Sequence, residues 1–330
     1  HMSDLSLTIA ISDYDHVRDF ADGRIKAEGI DTNFLSFQVE EIFHRFINFR
    51  EFDVSEVSFA KFVSLKSQGD ESLAGLPVFP SRVFRLSSIF VRHDSKLSKP
   101  EDLAGKKVGI PEWAQTAAVY SRGYLQHQDG IPLKDIDWYQ AGVSTAGRKE
   151  KVKLNLPDGI NLTPVSEKSL QEMLVDGDID AMMSAHPPKL FDAGTGEIIR
   201  MIKDYQPLEE GYFQETGVLP IMHAIAVRGD VAERHPWALM NLYKAFDEAK
   251  NASVARTFEM TASRFPIVWG PHFAEKTAPL FGDEYWPYGI EPNRQTLEAF
   301  LLYAYEQGVC HRHLAPEDLF PEQLLTSYKI

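Results

Sequence analysis

The feature that most constrains the fold is the alternation of short apolar runs with amphipathic helical segments along the chain. Residues 5–12 form an apolar run, residues 40–49 place large apolar side chains at helical spacing, and residues 52–59 alternate in the manner of a strand. The alternation continues through the middle of the chain and gives way to mainly helical segments. Such a pattern predicts an α/β fold, in which helices cover the faces of a sheet.

Two apolar strands divide the chain in a way that predicts two lobes. Residues 87–91 and 221–227 flank a middle block of strands and helices at 93–212. We therefore expect lobe 1 to comprise residues 1–92 and 213–330, and lobe 2 to comprise residues 93–212, with the chain crossing over through these two strands. This architecture places a cleft between the lobes, where small ligands bind.

Composition narrows the class of partner. Asp and Glu number 48 against 34 Lys and Arg, which gives a formal net charge of −14. A surface this acidic repels nucleic acid and anionic lipid, so we expect neither nucleic acid nor a membrane as a partner. No apolar run reaches the length of a transmembrane helix. The expected partner is a small molecule, and the aromatic-rich C-terminal region is compatible with either a core or the interface of a homo-oligomer.

Cysteine content and the first residues bear on metal binding and location. The single Cys310 excludes an intrachain disulfide and a cysteine-based metal cluster. His311 and His313 beside it are separated by an arginine and follow a predicted helix end, so no metal site is expected there. His1 is typical of a cloning remnant joined to Met2 as the initiating methionine. Because no basic and apolar leader follows them, we expect a cytoplasmic location.

Short motifs spread over almost the whole chain resemble those of one enzyme family. They lie at residues 12–16, 52–58, 77–85, 108–113, 116–117, 220–223, 286–289 and 314–320. On these motifs the chain resembles the 4,5-dihydroxyphthalate decarboxylase family, whose members are enzymes related to type II periplasmic solute-binding proteins. The resemblance implies a two-lobed, type II periplasmic-binding-protein-like fold with two crossover strands and a ligand cleft. One loop departs from the expected pattern, because His186 stands where an arginine is expected.

The resemblance implies cofactor-independent, non-oxidative decarboxylation of 4,5-dihydroxyphthalate, or of a closely related hydroxylated aromatic acid, to protocatechuate or its analogue. A hydroxyl para to the leaving carboxylate can push electrons into the ring, so protonation of the carboxyl-bearing carbon followed by loss of CO₂ needs no cofactor. The protein has to supply the proton and hold the anionic groups. Two alternatives remain open, namely a solute-binding protein that captures an aromatic or heteroaromatic carboxylate without chemistry and a cytoplasmic ligand sensor.

Three residues are candidates for proton transfer. His223 lies in an apolar strand that should line the cleft, and an imidazole suits a proton donor near neutral pH, although a histidine in such a strand is equally compatible with a core position. His16 follows the first strand and is a candidate acid or carboxylate ligand, or a loop histidine paired with a nearby aspartate. Glu112 is a candidate acceptor from the ring hydroxyls, or a brace for its loop.

Cationic side chains are the first candidates for binding the substrate carboxylates. Arg82 lies in a predicted turn between two strands, and a guanidinium binds a carboxylate through two parallel hydrogen bonds. The alternative for Arg82 is an ion pair between the lobes. Arg85 is a weaker candidate, because alternation would turn it away from Arg82. His186 is expected in a loop at the edge of the cleft.

Polar and aromatic residues complete the predicted site. Ser58 ends the second predicted strand, and Thr116 opens a helix whose N-terminus would favour an anion, or is only the helix cap. Trp113 is a candidate for stacking on an aromatic substrate, with packing between the lobes as the alternative. Asp13 and Glu56 are weaker candidates, because carboxylates beside a dianion need protons or cationic partners.

Overall fold

The computed structural model describes residues 4–192, 196–282 and 284–326, so the expectation about His1 and Met2 lies outside the described residues. The described part of the chain forms eleven strands and eleven α-helices. The strands are β1 (Leu5–Ala10), β2 (Ile30–Leu35), β3 (Val54–Ser58), β4 (Leu73–Ser81), β5 (Ile89–Arg92), β6 (Lys107–Ile110), β7 (Asp137–Gln140), β8 (Asn161–Pro164), β9 (Ala181–Met183), β10 (Ile198–Arg200) and β11 (His223–Arg228). The helices are α1 (Asp15–Ala21), α2 (Val39–Phe49), α3 (Phe59–Ser67), α4 (Thr116–His127), α5 (Leu170–Asp176), α6 (Tyr205–Thr216), α7 (Gly229–Arg234), α8 (Pro236–Thr257), α9 (Gly270–Phe281), α10 (Arg294–Glu306) and α11 (Glu322–Thr326).

The first sheet has five strands in the order β2-β1-β3-β11-β4. β1 runs parallel to β2 and β3, whereas β11 runs antiparallel to β3 and β4. β3 lies in the middle of the sheet and is buried at every residue, yet Ser55, Glu56 and Ser58 are polar. Polar groups in a buried strand need hydrogen-bond partners, so the side chains that contact these three residues are candidates for a functional site.

The second sheet has six strands in the order β10-β5-β9-β6-β7-β8. Strands β9, β6, β7 and β8 are parallel, with β8 at one edge of the sheet, as expected for strands connected by helices. β5 and β10 complete one edge in antiparallel pairing. This sheet is built almost entirely from the middle block of the chain.

Two sheets covered by helices confirm the predicted α/β fold class. A short 3₁₀ turn at Leu86–Ser88 separates β4 from β5, and β5 pairs within the second sheet. β11 brings the chain back into the first sheet. The predicted lobe 1 extends to residue 92 and therefore includes β5, so the exact lobe boundaries remain a prediction. Below, the first lobe is the part built on the first sheet, and the second lobe is the part built on the second.

The two lobes are joined by buried contacts of α4 with α3 and α10. The indole N–H of Trp113, just before α4, donates to the carbonyl of Gln307 at the end of α10, at 2.7 Å. The hydroxyls of Tyr212 and Tyr303 are also 2.7 Å apart. These contacts join helices of the second lobe to α10 of the first. No helix in the described ranges is both long and apolar enough to cross a membrane.

Candidate active site

The carboxyl edge of the first sheet places His223 between two serines. β11 begins at His223, which lies opposite Ser58 at the end of β3 and opposite Ser81 at the end of β4. Because β11 runs antiparallel to both strands, its first residue meets their last residues. The Ser58 hydroxyl lies 3.2 Å from the hydroxyl of Thr116, which opens α4 in the second lobe. His223 therefore lies where the two lobes meet, and ligands of open α/β sheets bind at such edges.

Glu56 is the centre of a hydrogen-bond network beside His223. Glu56 precedes Ser58 by two residues, so its side chain emerges on the same face of β3 as that of Ser58. Its Oε2 lies 2.6 Å from Nδ1 of His223 and also accepts the hydroxyl of Tyr14, while Oε1 accepts the backbone N–H of Ser12 at 2.9 Å. The carboxyl group is fully buried. Burial opposes ionisation, but the hydrogen bonds from His223, Ser12 and Tyr14 hold the pKa of Glu56 below its usual value.

The contact with Glu56 fixes the orientation and tautomer of His223. A carboxylate only accepts, so Nδ1 of His223 carries a hydrogen and Nε2 is the second ring nitrogen. No protein group in the described ranges forms a hydrogen bond with Nε2 of His223. The Phe43 ring packs edge-on against the imidazole at 5.0 Å, and the His223 side chain is 18% exposed. One nitrogen is thus held by the protein while the other is available to a ligand.

His16 lies next to this network in a neutral, buried setting. Its Nε2 donates to the carbonyl of Pro80 at 2.6 Å, and its ring packs 4.9 Å from Tyr14 and 5.5 Å from Trp286. Burial lowers the pKa of His16 below its usual value. The geometry brings His16 close to His223 through Tyr14, as a neutral ring rather than a cation.

Ser58 and Thr116 meet where two helices begin. The Thr116 hydroxyl accepts the backbone N–H of Ala60, in the first turn of α3, at 3.0 Å. Thr116 is itself the first residue of α4. Its side chain therefore caps the helix of the other lobe and links the lobes beside His223.

The guanidinium of Arg82 already donates hydrogen bonds to acceptors within the protein. It is 6% exposed, and its two terminal nitrogens donate to the carbonyls of Pro287 and Leu219 and to the side chain of Asn293, at 2.7–3.0 Å. None of these acceptors is a carboxylate, and burial lowers the pKa of Arg82 to about 10. The guanidinium fastens distant segments of the first lobe together, so this geometry favours a structural role.

Arg85 has weaker protein partners than Arg82. Its Nε donates to the sulfur of Met222 at 3.2 Å, and one terminal nitrogen lies 3.5 Å from the hydroxyl of Ser88. Met222 directly precedes His223, so the guanidinium lies beside the strand that presents the imidazole. Burial lowers its pKa to about 10, partly offset by Glu209. A partly buried cation with poor acceptors is well suited to bind an anionic ligand.

Glu112 is locked between two cations. Its side chain is 1% exposed, lies 3.1 Å from Nζ of Lys61 in α3, and accepts Nε of Arg148 at 2.8 Å. Burial opposes ionisation, but Lys61 and Arg148 hold the pKa of Glu112 below its usual value. A carboxylate held ionised in this way is a poor proton donor, so the geometry favours the alternative in which Glu112 braces its loop and the lobe interface.

Trp113, His186 and Asp13 do not join the cluster around His223. Trp113 is fully buried, with the guanidinium of Arg122 3.7 Å above its ring, so packing between the lobes is favoured over stacking on a substrate. Nε2 of His186 contacts the carboxylate of Glu40 in the first lobe, which links the lobes at the exposed surface. Asp13 is exposed.

In the described ranges, no group of three or more His, Cys, Asp or Glu side chains is arranged to hold a metal ion. This includes the segment with Cys310, His311 and His313. The ring nitrogen Nε2 of His311 instead contacts the backbone carbonyl of Lys153 at 2.8 Å.

Comparison with characterised proteins identifies relatives along the whole chain. The sequence is 33% identical to a 4,5-dihydroxyphthalate decarboxylase of Comamonas testosteroni over 330 residues, which covers all of both chains. The chain belongs to the 4,5-dihydroxyphthalate decarboxylase family. A second protein of that name, from Pseudomonas putida, is 32% identical over 214 residues, covering 64% of this chain and 83% of the relative. No protein-family model matches the chain.

Solved structures place this decarboxylase-family chain in the periplasmic-binding-protein fold. The periplasmic aliphatic sulphonate binding protein of Escherichia coli superposes with a TM-score of 0.51 at 13% identity, over 98% of this chain and 99% of that one. The ligand-binding component of an ABC-type import system from Staphylococcus aureus superposes with a TM-score of 0.50 at 9% identity, over 98% and 99% of the two chains. At identities this low the superpositions concern the fold alone. They confirm the predicted fold class.

Two residues of this candidate site, Glu56 and Tyr14, make contacts in the structure that the sequence did not indicate. Glu56 was only a weak candidate, and Tyr14 appeared only as part of a motif. The signal for Glu56 was a charged residue inside an apolar strand, because a buried carboxylate needs donors. Tyr14 could be found only through the parallel pairing of β1 with β3, which aligns Ala10 with Ser55 and brings the following loop against Glu56.

Proposed function

We propose that this protein decarboxylates 4,5-dihydroxyphthalate to protocatechuate without oxidation and without a cofactor. The family relationship over the full chain supports the reaction and the substrate. The observation that carries the proposal in this chain is the pair of Glu56 and His223, which are 2.6 Å apart at the junction of the lobes. A carboxylate that holds one imidazole nitrogen leaves the other nitrogen to exchange a proton with a ligand.

The proposed reaction needs one proton and releases one CO₂. Nε2 of protonated His223 donates to the ring carbon that bears the leaving carboxylate. The hydroxyl para to that carbon supplies electrons to the ring and becomes a protonated carbonyl, which keeps its hydrogen. The bond from the ring carbon to the carboxylate then breaks, and its electron pair restores the aromatic ring and the hydroxyl. His223 regains its proton from water, so the net reaction consumes one proton.

In this proposal Glu56 acts through His223. Its charge stabilises the imidazolium before proton transfer, and its position on Nδ1 keeps Nε2 directed away from β3. His16 contributes a neutral ring beside the pair, and its packing against Tyr14 and Trp286 provides an aromatic surface for the substrate ring.

The substrate carboxylates require cationic or hydroxyl donors, and we assign the main contact to Arg85. Arg85 lies beside Met222 and has no carboxylate within hydrogen-bond reach among the described residues, whereas Arg82 already donates to three acceptors. Ser58, which lies opposite His223, and Thr116 supply hydroxyls. A charged guanidinium contact is expected to dominate ground-state binding.

We also propose a cellular location and a partner for this enzyme. Turnover of a dihydroxylated phthalate is a step of aromatic catabolism, which we place in the cytoplasm, because an acid consumed for carbon has first to be imported. The only partner required is the small aromatic carboxylate, and formation of a homo-oligomer is left to measurement by light scattering.

A direct assay separates this proposal from capture without chemistry, which the binding-protein fold of the neighbours favours. Purified protein is incubated with 4,5-dihydroxyphthalate, and protocatechuate and CO₂ are measured. We expect both products in equal amounts, and treatment with a chelator should leave the rate unchanged. Tight binding of the acid with no product would support a solute-binding protein and reject the enzyme.

A further inference from the structure

Tyr14 shares one carboxylate oxygen with His223. The Tyr14 hydroxyl donates to Oε2 of Glu56, and Nδ1 of His223 lies 2.6 Å from the same atom. The hydroxyl is also 3.4 Å from Nδ1, so the three groups form a compact triangle. The other carboxylate oxygen already accepts the backbone N–H of Ser12.

Tyr14 is held as a donor in this triangle. Burial and the neighbouring Glu56 charge raise the pKa of the Tyr14 hydroxyl far above its usual value, so it stays protonated throughout the range in which a histidine titrates. Its ring packs on His16, which in turn packs on Trp286. The hydroxyl therefore has a fixed position as well as a fixed protonation state.

A second donor on the same oxygen changes how tightly that oxygen holds the histidine proton. A hydrogen bond to an ionised carboxylate is stronger when no cation already neutralises it. The Tyr14 hydroxyl therefore stabilises the carboxylate more when His223 is neutral than when it is an imidazolium. This difference favours release of the proton from His223.

We propose that Tyr14 is a positioning residue that acts through Glu56 to make the His223 imidazolium a stronger acid. The inference rests on the proposed function, in which His223 gives its proton to a ring carbon, a poor base that needs a strong donor. The hydroxyl does not touch the substrate in this account. Its effect is carried by Oε2 of Glu56, where its hydrogen bond competes with that of His223.

The titratable and charged groups packed around the triangle are the same in the wild type and in a Tyr14 variant. They are His16 and Asp15 at the start of α1, Lys250 on α8 and Tyr288 in the segment before α10. α2 contributes the uncharged ring of Phe43. Replacing only the Tyr14 hydroxyl therefore changes one contact of Glu56.

The test measures the His223 titration by nitrogen NMR of ¹⁵N-histidine-labelled, ligand-free protein, with the His223 signals assigned by comparison with His223→Gln. Tyr14→Phe should raise the titration midpoint of His223 by about half to one pH unit. In turnover with 4,5-dihydroxyphthalate, the same variant should lower kcat about three- to tenfold and move the alkaline limb of the rate profile upward, with KM changed by less than about twofold.

Two further forms of this protein serve as a control and as an independent test. Tyr212→Phe removes a buried hydroxyl that is hydrogen-bonded to Tyr303, away from Glu56, and should leave the His223 midpoint unchanged. Replacement of Tyr14 by 3-fluorotyrosine, a more acidic phenol that preserves the packing, should lower the midpoint, even if Tyr14→Phe does not fold.

An unchanged or lowered midpoint in Tyr14→Phe, or a raised midpoint with 3-fluorotyrosine, would overturn the role of Tyr14. The titration is independent of turnover. Wild-type protein that binds the acid without decarboxylating it would reject the proposed function, while the midpoints would still decide whether Tyr14 acts on His223.

Discussion

Nζ of Lys61, in the first lobe, lies 3.1 Å from the carboxylate of Glu112, in the second lobe, and both side chains are buried. Arg148 binds the other oxygen of Glu112 from within the second lobe. A charge pair at this depth resists separation, because an unpaired buried carboxylate carries a large desolvation cost. The lobes are thus tied together beside the site by charge as well as by apolar packing.

Loss of the Lys61 charge should destabilise the protein strongly. Lys61→Met leaves Glu112 with Arg148 alone, and we expect the free energy of unfolding to fall by about 2 to 4 kcal/mol. Urea denaturation followed by circular dichroism measures it. The matched control is Lys168→Met, which breaks exposed pairs with Asp176 and Asp178 and should change the stability negligibly. An equal decrease in the free energy of unfolding in the two variants would show that the buried pair stabilises the protein no more than the exposed pairs do.

Arg85 and Arg82 should respond differently to the same substitution. Arg85→Gln removes the proposed carboxylate contact and should raise KM for 4,5-dihydroxyphthalate about 10- to 100-fold with little change in stability. Arg82→Gln leaves buried carbonyls without their charged donor, so it should lower the free energy of unfolding by about 2 to 4 kcal/mol. Steady-state kinetics and urea denaturation of both variants provide the comparison. If Arg82→Gln stays stable and raises KM strongly while Arg85→Gln does not, then Arg82 rather than Arg85 binds the substrate carboxylate.

Glu56 should contribute to stability in a pH-dependent way. Its native pKa lies below the ordinary carboxyl value of 4.5, so the unfolded chain binds the proton more readily. The contribution of Glu56 is therefore fully present above that ordinary value and is lost as the pH falls through the native pKa. Glu56→Gln should be less stable than the wild type at pH 7, and the difference should shrink in acid. A difference that stays constant from pH 7 to pH 3 would contradict the lowered pKa.

The proton that replaces the carboxylate should come from solvent. In D₂O the product should carry one deuterium at the ring position next to the retained carboxylate and para to one hydroxyl, because His223 exchanges with solvent between turnovers. Proton NMR of protocatechuate locates it. Absence of deuterium at that position would exclude a donor that exchanges its proton with solvent.

The sequence was sufficient for the architecture because the architecture depends on local patterns. Alternating apolar runs and helical segments predicted the α/β fold class. The two apolar runs that predicted the crossing between lobes overlap β5 and β11, and the lobe boundaries themselves stay a prediction. The sequence offered His223 as a candidate because a crossover strand should line the cleft. The structure places it opposite Ser58, whose hydroxyl contacts Thr116, and the roles of the three residues stay predictions.

Side-chain partners distant in sequence could not be predicted in the same way. Arg82 is tied to Leu219, Pro287 and Asn293, more than a hundred residues away, and only the folded chain reveals that its donors are occupied. Trp113 is buried by Arg122 and by Gln307 near the end of the chain. A motif indicates which residue types are available, whereas the tertiary contacts determine which of them remain free for a ligand.

The central claim is that His223, held by Glu56, protonates the substrate ring. The most direct measurement is kcat for release of CO₂ from 4,5-dihydroxyphthalate by the wild type and by His223→Gln, with the dissociation constant of the acid measured for both. The account predicts that kcat falls by about a hundredfold or more while binding changes less than about threefold. A folded His223→Gln variant with the wild-type kcat would contradict it.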